Sequence, residues 1–145
     1  MMSRLQEHID VNAPAQKVWD QLHRIEEYSS FMDGVRRASA HGGDRARLDV
    51  RTSGGEQALE AVLSDRADEQ TIAWQTQGSP ELQGTLSVRS LDNDHSQVQV
   101  RMEYDPQTIQ NTFGGPKGMA QVHAIERTVR GDLEHFRDLV EREKG

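Results

Sequence analysis

Between Val35 and about Asp105 the sequence alternates apolar and polar residues, strand after strand, and that stretch constrains the fold more than any other. Leu48, Val50 and Thr52 alternate with Arg47, Asp49 and Arg51, and Ile72, Trp74 and Thr76 with Thr71, Ala73 and Gln75. Leu82, Gly84, Leu86 and Val88 form a third apolar row, and Val98, Val100, Met102 and Tyr104 a fourth. An antiparallel sheet with one apolar face must be covered on that face alone. The cover lies at the end of the chain. Met119, Val122, Ile125, Val129, Leu133, Phe136 and Val140 recur at steps of three and four, which predicts one amphipathic helix from about Pro116 to Arg142. Such a helix runs about 40 Å, enough to cross a small sheet.

Turn residues divide the alternating stretch at Gly42-Gly43-Asp44, Ser53-Gly54-Gly55, Gly78-Ser79-Pro80 and Asp92-Asn93-Asp94. The strand at 57–63 has no clear phase, because Ala58, Leu59, Ala61, Val62 and Leu63 fall on both parities. Gly84 inside a strand suggests a bend or bulge. Ahead of these strands, Leu5, Ile9 and Val11 mark a half-buried strand whose apolar side Glu7 interrupts, as an edge position reaching water would. Asn12 is a candidate cap for a short helix carrying Pro14 in its first turn and Val18, Trp19 and Leu22 on its apolar side. A second short helical piece covers Ile25 to Ser30, and Gly34 takes a left-handed turn after it. The expected fold class is therefore α+β. It is a helix-grip fold, with a curved antiparallel sheet of about seven strands (β-α-α-β6-α) wrapped around a long C-terminal helix. A curved sheet gripping a helix leaves a cavity between them.

The 145 residues suit a single domain spanning 1–145, with no metal or disulfide staple required. The absence of cysteine removes thiol nucleophiles, thiolate metal sites and disulfides, and it fits a cytoplasmic location. Met1 to His8 carries no signal-like apolar run, and no stretch approaches a membrane span, so stable membrane insertion is not expected. With 24 acidic against 17 basic residues, the net charge of −7 argues against nucleic acid as a partner. A monomer or a homodimer is expected.

Three groups of residues resemble the START-like, or SRPBCC, superfamily, and in particular its polyketide cyclase/dehydrase (coenzyme Q-binding-like) branch of small bacterial proteins. The first is Ile9 through Leu22 with Pro14, Val18 and Trp19, followed by Ile25 to Tyr28 and Phe31 to Val35. The second is Ile72-Ala73-Trp74, Gly84, and Val98 through Pro106; the third is the closing helix with Leu133, Phe136 and Leu139-Val140-Glu141. The resemblance covers nearly the whole chain and implies hydrophobic-ligand pockets, as in aromatase/cyclases, coenzyme Q-binding proteins and lipid-transfer domains. It implies no shared catalytic constellation, since this fold hosts many functions.

No nucleophile elbow, P-loop, dinucleotide fingerprint or His-Glu-x-x-His occurs. Histidines 8, 23, 41, 95, 123 and 135 are scattered. The pairs His123/Glu126 and Asp132/His135 sit beside or away from the apolar stripe, and two ligands on a solvated face make no metal site. Neither metal nor cofactor is expected. Ligand-binding residues expected around the cavity are Trp74, Met102, Tyr104, Phe113, Met119 and Val122. Trp74 suits plain core packing better than a ligand contact, whereas Tyr104 carries a hydroxyl that needs a partner when buried and could bond a ligand carbonyl or phenol. Phe113-Gly114-Gly115-Pro116-Lys117-Gly118-Met119 links the last strand to the long helix, as an ordinary connection or as a mobile mouth. Gly131 falls opposite the helical stripe and should face solvent.

Binding of a small hydrophobic ligand, aromatic, polyketide-like or isoprenoid, is the leading expectation. A cyclase or dehydrase acting by orienting a reactive chain is the alternative. A regulatory or chaperone-like protein needs an exposed apolar patch that the clean alternation does not provide.

Overall fold

The computed structural model describes residues 2–143; Met1, Lys144 and Gly145, which the expected bounds 1–145 include, lie outside the described residues. Strand β1 (Ser3–Val11) leads through helix α1 (Ala15–Leu22) and a 3-10 segment (Ile25–Ser30) into six further strands. These are β2 (Val35–His41), β3 (Arg45–Thr52), β4 (Gly55–Arg66), β5 (Thr71–Thr76), β6 (Leu82–Asp92) and β7 (His95–Tyr104). Helices α2 (Pro106–Phe113) and α3 (Gly118–Arg142) complete the chain. All seven strands form one antiparallel sheet in the order β1-β7-β6-β5-β4-β3-β2, so β2 to β7 form a meander and β1 returns to pair with β7. This is the helix-grip fold, a curved sheet closed by a long C-terminal helix.

Register places the apolar rows on one face. Ile72 lies opposite Leu86, Leu86 opposite Val100, Val88 opposite Val98, and Val98 opposite Ile9. Opposed residues in an antiparallel pair share a face. The ambiguous strand β4 is settled by its neighbours: Leu59 pairs with Leu48, Ala61 with Ala46 and Leu63 with Trp74, so Ala58 and Val62 point outward.

Helix α3 has 25 residues, about 37 Å, and runs closest along β1. Its C-terminal half supplies Leu133, Phe136 and Val140 to the main core, where they meet Val18, Leu22, Ile72, Val88 and Val98. Burying each such side chain contributes roughly 1.5–3 kcal/mol. Phe31 and Phe136 meet edge to face, with ring centroids 5.1 Å apart.

Four local expectations are corrected. Pro14, not Asn12, stands at the start of α1; the Asn12 N–H donates to Glu141 instead, tying the entry of α1 to the end of α3 at 2.8 Å. Glu7 does not simply reach water at an edge, for an ion pair to Arg130 at 2.6 Å holds it beneath α3. Gly84 is no bulge, because the ladder runs through it without a register shift. Finally, a helix not expected from the sequence, α2, precedes the long one. Asp105 caps it by accepting from the Gln107 N–H at 2.9 Å, and Pro106 occupies its first turn, where its missing N–H costs nothing. Gly34 is left-handed as expected, with φ of 87°.

Candidate functional site

The concave face of the sheet is packed in three groups. At one end, α1 and the second half of α3 close it with the main core. Along β2 to β4, Ile25, Val35, Ala38, Ala46, Val50 and Leu59 form a second packed group. A third joins Leu5 and Tyr104 to Ile109 of α2, with Met102, Ile125 and Val129 against it. Phe113, the last residue of α2, packs against both the second and the third group and spans the gap between them.

Trp74 sits between these groups, on the concave side of β5 near the middle of the sheet. It is half-buried, and among the described residues it joins none of the three packed groups. Its cross-strand neighbour Leu63 is half-buried too, and so is Met102 one strand beyond Gly84. Large side chains on the covered face of a sheet ordinarily lose nearly all their surface; here three in a row do not. Gly84 separates Trp74 from Met102, and a side chain there would run into the Arg101 carbonyl oxygen and come within 3.0 Å of Trp74 Cζ2. The indole therefore lies over the glycine, and the missing side chain makes that position possible.

The structure brings Trp74, Met102, Tyr104 and Phe113 to this face and sets the other two expected lining residues on α3. Val122 is half-buried, and Met119 is 66% exposed on the first turn, at the outer corner of α2 and α3. Tyr104 is only 1% exposed, enclosed by Leu5 and Ile109 behind the half-buried surface. Burial raises its phenol pKa above the usual value, the Glu126 charge adds to this, and a hydrogen bond with Ser3 partly offsets it. Glu126 also pairs with Arg130 at 3.5 Å, so Glu7, Arg130 and Glu126 form a charged seam between β1 and α3.

Helix α2 is the part that sequence reasoning missed. It lies across the end of the sheet: its Thr108 hydroxyl accepts from the Glu81 N–H at 3.0 Å before β6, and the Thr112 carbonyl accepts from the Ser53 N–H at 3.2 Å in the β3–β4 turn. The signal was present as Asp105-Pro106, a cap followed by a first-turn proline, with Gly114 at the far end.

A separate groove of about 340 Å³ lies on the outside of α3, lined by Asp33, Ala124, Arg127, Thr128, Gly131, Asp132 and His135. Asp132 accepts from the Asp33 N–H at 3.0 Å, and His135 Nδ1 lies 3.3 Å from the Phe31 carbonyl oxygen. Burial lifts the Asp132 carboxyl from 3.8 to about 6, and the neighbouring Asp33 charge works in the same direction. A methyl group at Gly131 would meet nothing, as its expected outward position implies. Among the described residues no group of three or more His, Asp or Glu side chains is placed to hold a metal ion. No helix among them is long and apolar enough to cross a membrane.

Comparison with known proteins adds three findings. A family model described as polyketide cyclase / dehydrase and lipid transport matches residues 2–141. An uncharacterised 17.2 kDa protein of Streptomyces lincolnensis is 27% identical over 141 residues, covering 97% of this chain and 91% of that protein. Among solved structures, the Zhui aromatase/cyclase from Streptomyces sp. R1128 superposes with a TM-score of 0.78 at 18% identity, over 98% of this chain and 95% of that one. A START superfamily protein from Mycobacterium smegmatis has the same TM-score at 16% identity, over 96% and 97% of the two chains.

Proposed function

This chain belongs to the polyketide cyclase / dehydrase and lipid transport family, and on that premise we propose that it binds a small hydrophobic ligand between the sheet and the first half of α3. The observation that carries the reading is Trp74, a large apolar side chain on the covered face of a central strand that keeps surface no protein atom fills. Trp74, Met102, Phe113 and Val122 form the walls. Tyr104 backs them, and Met119 stands at the rim. The ligand is aromatic, polyketide-like or isoprenoid, because the walls offer rings, thioether and aliphatic groups and few charges.

Binding is favoured over proton-transfer catalysis by the state of the two polar groups on this face. The Tyr104 phenol is pushed further from neutral pH, and Glu7 is engaged by Arg130. A poised general acid or base needs a pKa near the working pH and a free line to the substrate. Cyclisation by orientation of a reactive chain needs neither group and is the alternative activity.

The reading is tested with Trp19→Phe, which leaves Trp74 as the sole tryptophan. Anilinonaphthalene sulfonate should saturate one site, draw its excitation from Trp74, and be displaced by naphthol. Dye that does not bind, or that binds without quenching Trp74, would refute the proposal.

A further inference from the structure

The charge of this chain is unevenly placed. Strands β2 and β3 carry five arginines, Arg36, Arg37, Arg45, Arg47 and Arg51, against one acid, Asp49, although the net charge of the whole is −7. All five arginines are exposed. Register gathers them on one surface. Arg37 stands opposite Asp49 and Ser39 opposite Arg47; on the other side of β3, Arg45 faces Val62, Arg47 faces Glu60 and Arg51 faces Glu56. Ala46, Leu48 and Val50 turn inward to the second packed group, so the arginine rows lie on the outer face of the sheet. Arg36 occupies the register shift between Val35 and Arg37 and reaches Glu56 at 3.7 Å. Arg47 pairs with Asp49 at 3.1 Å. The other three have no carboxylate partner among the described residues, and Arg45 donates only to the neutral Gln77, at 3.1 Å. Three guanidinium groups are thus left uncompensated along the edge of the sheet, where β2 is the last strand.

We propose that the outer face of β2 to β4 is a docking surface for an extended acidic segment of another protein. The spacing suits carboxylates carried on every second residue. Side chains of one parity on β3 recur at about 7 Å, as they do along any extended chain laid beside it. A guanidinium grips a carboxylate with two parallel N–H donors, which gives such a contact orientation as well as charge. Ala58 beside Asp49 and Val62 beside Arg45 keep the surface low between the charges, so that a second backbone can come close. Other anionic partners fit less well. No Phe, Tyr or Trp occurs between Val35 and Arg66, so nucleic acid bases would find nothing to stack on. Asp49, Glu56 and Glu60 interrupt the arginines and would repel a continuous line of phosphates. A lipid surface would need an apolar anchor here, and the exposed large apolar side chains, Met2, Leu91 and Met119, belong to other parts of the chain. This surface and its partner are independent of the ligand-binding reading.

The test uses the intact protein and a fluorescein-labelled peptide of about twelve residues alternating glutamate and serine, read by anisotropy at low salt. The glutamate peptide should bind, its affinity should fall as salt is added, and the same peptide with glutamine for glutamate should not bind. Joint replacement Arg37→Gln, Arg45→Gln and Arg51→Gln should weaken binding about tenfold. Arg89→Gln, Arg101→Gln and Arg142→Gln together remove the same charge from exposed positions elsewhere and should change it by no more than about twofold. Failure of the wild type to bind the glutamate peptide overturns the proposal without recourse to any variant. So does an equal loss in the two triple variants, which would mean that only total charge matters. An oligothymidylate of equal charge that binds the wild type as tightly as the peptide, or phosphatidylserine vesicles that retain it, would also overturn it in favour of that partner.

Discussion

Replacing Asp132 by asparagine should make this protein more stable at neutral pH and leave it unchanged in acid. Asp132 accepts the Asp33 N–H, and an asparagine Oδ1 can do the same in the same place. What the substitution removes is a charge that the fold disfavours. Burial is the main cause of the rise from 3.8 to about 6, Asp33 adds repulsion, and the Asp33 N–H and His135 pull the other way. Arg127 also lines the groove. Because the folded pKa lies above the unfolded one, this carboxyl burdens the folded state only when ionised. Its contribution is at its most favourable below pH 3.8 and is lost as pH rises through about 6. A rise of that size, taken at face value, corresponds to about 3 kcal/mol. The groove is open to solvent, and discounting for screening leaves about 1–1.5 kcal/mol. Urea titrations at pH 3.5 and pH 7.5 should therefore give Asp132→Asn the wild-type midpoint in acid and a higher one at neutral pH, with the slope unchanged. A variant equally stabilised, or equally destabilised, at both pH values would refute the reasoning, since the effect would then owe nothing to ionisation.

Gly84→Ala should cost at least about 3 kcal/mol and disturb Trp74 emission, because the added methyl meets the Arg101 carbonyl, which the strand cannot move, as well as the indole edge; thermal unfolding that shifts by no more than a degree or two would contradict this. Asp105→Ala should remove the cap of α2 at a cost of about 1 kcal/mol and speed amide exchange in Gln107 to Phe113 ahead of the sheet. Uniform exchange across α2 and β7 would argue against α2 as a separately opening element.

Much of the fold could be read from the residues because its period is simple. Where one face of a sheet is buried, a shift of one residue would turn Leu86, Val88, Val98 and Val100 outward, so their alternation declares the register. Strand β4 resisted because Ala58 and Val62 are small or branched enough to stand outside, while their cross-strand neighbours, not their own sequence, turn Leu59 and Leu63 inward. Helix α2 has few apolar residues to declare a stripe, and only Ile109 is buried; its capping residues announce it more clearly than its periodicity does. Gly84 was legible as special but not for its reason, since a close approach between strands leaves no mark on the glycine's own chain neighbours. The candidate site was legible as an apolar parity, which names Trp74 and Met102 but cannot say which inward residues pack tightly, as Tyr104 does, and which stay half-buried.

The pairing of β1 with β7 has a consequence for how the chain comes to be folded. Strands β2 to β7 follow one another as hairpins and can pair as they emerge, each with the segment just before it. β1 cannot: Leu5 meets Met102 and Val11 meets Ser96, so its partner is made some ninety residues later. During synthesis the apolar side of β1 must therefore wait without its strand, and α3, which lies along β1, arrives later still. Contacts so distant in sequence make folding slow and leave an unpaired edge exposed in the interval. The polar row of β1, with Arg4, Gln6, His8 and Asp10 between its apolar residues, keeps that waiting strand from becoming a continuous adhesive ribbon.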